Sequence, residues 1–149
     1  GGANTIGEGR AGSSAVPVEF DPTFGPVSLE GTPLQMVPAD AGGVIRVRRL
    51  QTGAAYPVAG LAGVSASASY LDPSSGTQVI ALALAGLVQV SVDSSSGDIA
   101  QGTELTASEL GSDDLVPFGT PATGRALVRV AQTVPMSATP TSSYAWVVS

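Results

Sequence analysis

The sequence has no cysteine, no histidine and no lysine among its 149 residues. Without cysteine there is no disulfide, no thiol nucleophile and no cysteine ligand for zinc. Without histidine there is no Ser-His-Asp triad and no histidine-dependent metal site. Without lysine there is no Schiff base and no P-loop cation. What remains for catalysis is a pair of carboxylates, so the composition disfavours an enzyme.

The acidic residues do not form an evident catalytic pair. Asp113 and Asp114 lie in "ELGSDDLVPFG", which is predicted to be an exposed loop. Consecutive residues of an extended chain point apart, so this pair does not suit a shared-proton dyad. Asp93 and Asp98 flank "SSSG", a turn in which aspartate binds its own backbone. Calcium at this turn is the less favoured alternative, since the EF-hand spacing is absent. We expect no catalytic residue, no metal and no cofactor.

Charge and aromatic content are also low. Twelve acidic residues against six arginines give a net charge of −6, which argues against a nucleic-acid partner. The longest apolar run, "VIALALAGLVQV" from Val79, is too short to cross a bilayer, so we expect no membrane partner. The single tryptophan, Trp146, lies in the terminal "SSYAWVVS". We predict that it belongs to the core or to a sheet edge rather than to a ligand platform.

Nineteen glycines, eleven prolines and many β-branched residues favour short strands and tight turns. The run from Val79 to Ala85 is apolar at every position, which is typical of a strand covered on both faces. A helix over this run is the less favoured alternative. After Gly86, where a kink or corner is expected, Val88, Val90 and Val92 alternate with polar residues. The sequence therefore predicts an all-β protein.

The N-terminal segment has little to bury. "GEGRAG", residues 7–12, has dinucleotide-loop spacing, but no strand precedes it and prolines interrupt any helix after it. We expect a flexible N-terminal arm over residues 1–16 and a single β-domain over residues 17–149. The strings "GTPL" and "GTEL" echo each other, which would fit two packed β-subunits, 17–85 and 86–149.

Arginines concentrate in "GGVIRVRRLQ", the only basic cluster of the chain. In a strand, Arg46 and Arg48 share one face and Arg49 lies on the other. One interpretation is an edge strand with solvated charges. The other is a guanidinium patch that binds carboxylates or carbonyl groups of a partner subunit, either another protein or a second copy of this chain. We take Arg46, Arg48, Arg49 and, in the arm, Arg10 as the candidate interface residues.

The second half of the sequence carries a recognisable order of glycine and valine spacings. A G-x-V-x-V strand begins at Gly86, a G-x-I-x-x-G-x-x-L turn and strand spans residues 97–105, and a G-x-A-L strand begins at Gly124. This order resembles the small β-domain of tailed-bacteriophage head decoration (cement) proteins and of some phage fibre modules. The opening from "GTPLQMV" to "VAGLAGVSASA" is similar to theirs, so that the resemblance covers roughly residues 27–132.

The resemblance implies a small β-barrel or β-tulip-like domain with an extended N-terminal arm and no active site. It also implies a virion protein on the outer surface of a capsid, often a homotrimer, whose partner is the major capsid protein. The alternative function is a fibre or cell-surface module that binds a host glycan. The proline-rich start and the long segment after Ala131 depart from the family pattern.

Overall fold

The protein is all-β, as the sequence predicted. A computed structural model describes residues 13–38, 42–50, 60–108, 112–118 and 125–148, and assigns 51% of the chain to strands and 3% to helix. The strands are β1 (Ser13–Phe20), β2 (Pro33–Met36), β3 (Arg46–Arg49), β4 (Leu61–Val64), β5 (Tyr70–Asp72), β6 (Thr77–Val92), β7 (Glu104–Ala107), β8 (Leu115–Pro117), β9 (Val128–Val130) and β10 (Thr141–Val147). A short 3-10 helix, Pro22–Phe24, follows β1.

The C-terminal strands form a closed barrel. The strand order is β6-β8-β7-β9-β10, and β10 pairs with β6 to complete a ring of five strands. Val88, Val90 and Val92 of β6 are buried at 0–2% exposure, as their alternation predicted. The small β-barrel expected from the sequence is thus confirmed.

The N-terminal strands pair in the same order around their ring as the C-terminal strands do. Here the order is β6-β1-β3-β2-β4, and a bridge between Ser65 and Leu82 joins the end of β4 back to β6. The backbone N–H of Ala66 donates to the carbonyl of Ala81 at 2.7 Å beside this bridge. We call this part, with β6 up to Gly86, the first half, and the remainder of β6 with β7–β10 the second half.

The two halves agree in the pairing of the strands around each ring; β5, which pairs with β6 outside this path, has no counterpart among the described strands of the second half. In each, the first strand pairs in parallel with the third, whereas all the other pairs around the ring are antiparallel. Strand β6 is the fifth strand of the first half and continues as the first strand of the second half. The register agrees as well: Leu34 opposite Arg49 in the first half corresponds to Leu105 opposite Pro117 in the second.

The two G-T-x-L strings occupy equivalent positions in these halves. Gly31 and Gly102 both have positive φ, +79° and +88°, and each directly precedes the threonine before a strand. The N–H of Gly31 donates to the carbonyl of Ser65, and that of Gly102 donates to the carbonyl of Val130. Each following leucine, Leu34 or Leu105, has no exposed surface. These leucines are among the largest fully buried side chains of the described residues.

Strand β6 separates two clusters of buried side chains. Ile80 faces the first-half cluster, whose other members are Phe20, Val27, Leu34 and Val47. Ala83, on the opposite face of β6, belongs to the larger cluster that fills the second half and also includes Leu50, Leu61 and Val64. The coverage on both faces that we predicted for Val79–Ala85 is therefore met at Ile80 and Ala83, which are buried, while Ala81 and Leu82 between them are partly buried. It ends at Leu84, which is 47% exposed.

Gly86 marks the point at which β6 passes from one ring to the other. Its partner is Ser13 of β1, whereas the next residue, Leu87, pairs with Trp146 of β10. The φ of Gly86 is +94°, which residues with a side chain rarely adopt. We predicted a kink or corner at this glycine; the positive φ and the change of partner occur there, while β6 continues through it as one strand.

The predicted N-terminal arm lies mostly outside the described residues. Arg10 and the "GEGRAG" motif cannot be placed for this reason, whereas residues 13–16 form the start of β1 and pair with β6. The strand therefore begins before the boundary that we predicted. Pro17 lies inside β1, where the opposite edge pairs with β3 only from Glu19 onward. This position suits proline because it donates no backbone hydrogen bond.

Matching aspartates follow the first strand of each half, and they predict a dependence of stability on pH. Hydrogen bonds from the Thr23 side chain and backbone lower the pKa of Asp21, and the same groups of Ser95 lower the pKa of Asp93. A lowered pKa stabilises the fold above the unfolded-state value of about 3.9, and this contribution disappears as the pH falls through the folded-state value.

We expect the Asp21→Asn, Asp93→Asn double variant to lose less stability than the parent between neutral pH and about pH 2, because asparagine keeps an acceptor oxygen but does not titrate. Urea midpoints measured across this range compare the two slopes. Equal slopes in parent and variant would show that these turns do not contribute to acid sensitivity.

Candidate functional surface

Strand β3 carries the arginine cluster, and it is an interior strand. It pairs with β1 on one side and with β2 on the other, so the interpretation of a solvated edge strand is wrong. Val47 is buried in the first-half cluster, and Arg46 and Arg48 alternate with it on the outer face. Sequence alternation placed these side chains correctly, but it did not reveal the two neighbouring strands.

Arg46 and Arg48 contact residues of the neighbouring strands. The Nε of Arg46 donates to the Glu19 carboxylate on β1 at 3.3 Å. The Nε of Arg48 donates to the amide oxygen of Gln35 on β2 at 3.2 Å, and its guanidinium lies 4.7 Å from the ring centroid of Phe24. Such contacts orient both guanidinium groups on a sheet whose backbone is fixed on both sides.

Arg49 links the two halves. Its Nη2 lies 2.7 Å from the Asp113 carboxylate, which precedes β8, and its Nη1 donates to the carbonyl of Pro26 at 3.3 Å. The two charged side chains are 32% and 44% exposed, so solvent screening limits the pair to about 1 kcal/mol or less. Arg49 thus has a structural contact that its position beside Arg46 and Arg48 did not predict.

A second contact between the halves lies where the turn before β2 meets β6. The backbone N–H of Gln89 donates to the Glu30 carboxylate at 2.9 Å. A Cβ on the adjacent Gly31 would lie 2.1 Å from the carbonyl oxygen of Gln89, so only glycine permits this approach. The residue of β1 equivalent to Gln89 is Pro17, which has no N–H and needs no such acceptor.

A cleft of about 620 Å³ lies beside this contact, between residues 28–32, β6 and the start of β10. Its two carboxylates already have partners, since Glu30 accepts from Gln89 and Asp113 pairs with Arg49. Its other polar groups are mainly serine hydroxyls and the Gln89 amide.

The adjacent carboxylates of Asp113 and Asp114 face different partners. Asp113 pairs with Arg49, whereas Asp114 accepts from the Ser91 hydroxyl at 2.6 Å. Asp98 accepts from the backbone N–H of Met136. Within the described ranges, no group of three or more His, Cys, Asp or Glu side chains could hold a metal ion. No described helix is long and apolar enough to span a membrane.

Trp146 lies on the outer surface, and its prediction as a core or edge residue is wrong. Strand β10 is paired on both sides, by β6 and β9, and the Trp146 side chain is 51% exposed. Tyr144, two residues earlier on the same face, is 41% exposed, while Ser143 and Ala145 point into the barrel. The sequence "SSYAWVV" contained a signal for this orientation, because small residues alternate with aromatic ones and therefore lie on opposite faces of the strand.

No protein-family model matches the chain, and no curated protein is significantly similar to it.

Proposed function

We propose that this chain is a structural protein that binds the outer surface of a tailed-phage capsid and bridges neighbouring major capsid subunits. The observation that carries the proposal is the closed five-stranded barrel, which is the fold that the resemblance to decoration proteins implies. The spacings behind that resemblance have structural roles in this barrel. Gly86–Val90 lies in β6, and the segment from Gly97 to Leu105 includes buried Ile99 and the start of β7.

The way in which the halves are joined suits a bridging role. Strand β6 runs unbroken through both rings, and Arg49–Asp113 and Glu30–Gln89 connect the halves elsewhere. A load applied between two capsid subunits would therefore act on paired strands and not on a flexible linker. Because many copies bind one shell, modest affinity per copy is sufficient.

The outer face of β3 is the proposed contact with the shell. Arg46 and Arg48 project from it as part of the only basic cluster in a chain of net charge −6. A guanidinium group carries five N–H donors, so an arginine held by an internal acceptor still has geometry to bind a second one. Acidic or carbonyl groups on a capsid subunit match this chemistry.

A second copy of this chain is the other acceptor that the charge distribution favours. Its acidic body offers carboxylates to the same arginines, and we propose a homotrimer as the bound form. Sedimentation velocity of the free protein measures trimer formation in the absence of capsids, so the two interactions can be tested separately.

The arginine contact is tested by changing Arg46 and Arg48 together to glutamine. We expect weaker co-sedimentation with undecorated capsids, by about thirtyfold or more, since the loss of even one desolvated interface pair costs about 2 kcal/mol or more. Raising the salt concentration should reproduce part of the loss in the parent protein. Melting temperatures should change little, because both side chains are partly exposed.

The matched control is the Arg125→Gln, Arg129→Gln double variant, which removes the same charge from the second half. It should bind capsids nearly as well as the parent protein. If the β3 variant and this control bind equally at every salt concentration, β3 is not the contact surface.

A further inference from the structure

One outward row of side chains crosses four strands of the barrel. Strand pairing places Leu87 of β6, Trp146 of β10, Arg129 of β9 and Glu104 of β7 side by side. The Nη2 of Arg129 lies 3.2 Å from the Glu104 carboxylate. We call this row, together with Tyr144, Gln89 and Ser142, the β10 strip.

A second pair of positions widens the strip next to Trp146. Tyr144 lies opposite Gln89 of β6, and the Gln89 amide donates to the Ser142 hydroxyl at 2.8 Å. The two aromatic rings are thus flanked by an amide and a hydroxyl on one side and by a guanidinium and a carboxylate on the other. Because β10 is paired along both edges, their spacing is fixed by the barrel.

The first half shows that the fold does not require these side chains. The positions equivalent to Glu104, Arg129 and Trp146 are Pro33, Val64 and Ala83, paired in the same register. There the small apolar residues are buried, with Val64 and Ala83 at 1% and 6% exposure in the cluster that fills the second half. The same ring therefore closes without an aromatic residue or an ion pair at this place.

This comparison also disfavours a second copy of the chain as the partner that binds the β10 strip. The contact that buries Val64 and Ala83 depends on small side chains, and arginine and tryptophan at the equivalent positions would prevent the same approach. The pairing of Arg129 with Glu104 leaves the strip without a net charge to attract an oppositely charged protein.

The dimensions of the strip favour a small ligand. Three inter-strand spacings of about 4.8 Å and one two-residue repeat of about 7 Å give a surface on the order of 100–200 Å². A stable protein interface needs roughly 800 Å² on each partner. A chain of two or three sugar rings has the matching size.

We propose that the β10 strip binds a carbohydrate chain. The apolar C–H face of a pyranose would lie on the rings of Trp146 and Tyr144, whose faces carry negative electrostatic potential. The hydroxyl groups around each sugar ring need donors and acceptors at its edge, and Gln89, Ser142, Arg129 and Glu104 supply both. This inference does not depend on capsid binding, because it uses a different face from β3.

The only tryptophan of the chain makes the proposal directly measurable. We expect saturable changes in Trp146 fluorescence with at least one member of a panel of short linear oligosaccharides of glucose, galactose, mannose, rhamnose and N-acetylglucosamine. The Tyr144→Ala variant should bind that sugar about fivefold more weakly, since the loss of one stacking ring removes about 1 kcal/mol.

The control is Tyr70→Ala on β5, which removes an exposed tyrosine outside the strip and should leave the affinity unchanged. The Trp146→Ala variant has no tryptophan fluorescence, so its binding is measured by calorimetry. We expect calorimetry to show no binding of the same sugar. The proposal is overturned if no sugar of the panel alters the fluorescence, or if Tyr144→Ala binds as tightly as the parent. Loss of capsid attachment in Tyr144→Ala without any sugar binding would instead identify the strip as a protein contact and overturn the proposal too.

Discussion

Replacing Gly31 by alanine is expected to lower the free energy of unfolding by about 2–5 kcal/mol. The φ of +79° would cost an alanine about 1–2 kcal/mol in backbone strain. In addition, the new Cβ would lie 2.1 Å from the Gln89 carbonyl oxygen and 2.9 Å from Val90 Cγ1. Relief of this overlap requires the two halves to separate, which adds about 1–3 kcal/mol.

The duplicated fold provides a matched control at Gly102. Its φ is +88°, but a Cβ there would meet no atom within 4 Å. Gly102→Ala should therefore lose only the free energy of backbone strain, about 1–2 kcal/mol. Urea unfolding followed by Trp146 fluorescence gives both values. Similar losses for the two variants would mean that the close approach of Gly31 to β6 does not exist in solution.

Replacing Leu105 by alanine is expected to cost about 2–5 kcal/mol, and the same change at Leu34 should cost a similar amount. Both side chains are fully buried, one in each cluster. Removing either one leaves a cavity, because the surrounding strands are held in place by their pairing. Leu29→Ala is the control, because Leu29 is 72% exposed and should change stability by less than about 0.5 kcal/mol.

The shared strand predicts how these variants unfold. Because β6 belongs to both rings and its two faces contact both clusters, loss of either half removes a wall from the other. We expect a single unfolding transition that shifts as a whole in both leucine variants. If two transitions are observed and each variant shifts the midpoint of only one of them, the halves unfold independently.

Local patterns predicted the β structure well, because they depend on neighbouring residues. The alternation of Val88, Val90 and Val92 identified the inner face of β6, and Gly86 marked the change of sheet. The equivalent turns at Gly31 and Gly102 were visible as repeated strings. What could not be predicted was that one strand serves both halves, because this depends on pairings between distant segments.

The partners of the arginines were also beyond local sequence patterns. Arg49 and Asp113 are 64 residues apart, and nothing near either one indicates the other. Arg46 and Arg48 were identified as a cluster, but the strands on each side of them come from residues before Arg46 in the chain. Alternation within one strand shows which side chains share a face, and it does not show whether the strand is at an edge.

Trp146 was predicted to lie in the core or at a sheet edge, and the geometry of the barrel explains why it does not. A ring of five strands encloses less space than the eight-stranded barrels whose interiors side chains just fill. Ala145 and Ser143 occupy the inward positions of β10, and the larger Tyr144 and Trp146 therefore face outward. Size, more than polarity, decides the orientation of this strand.

Cryo-electron microscopy of undecorated tailed-phage capsids, with and without saturating amounts of this protein, tests the central claim most directly. The proposal predicts added density on the outer surface at the junctions between major capsid subunits, into which both halves fit as one body with β3 facing the shell. Capsids that stay free of added density at saturation would contradict capsid binding, and density that meets the shell through another face would contradict the assignment of Arg46 and Arg48.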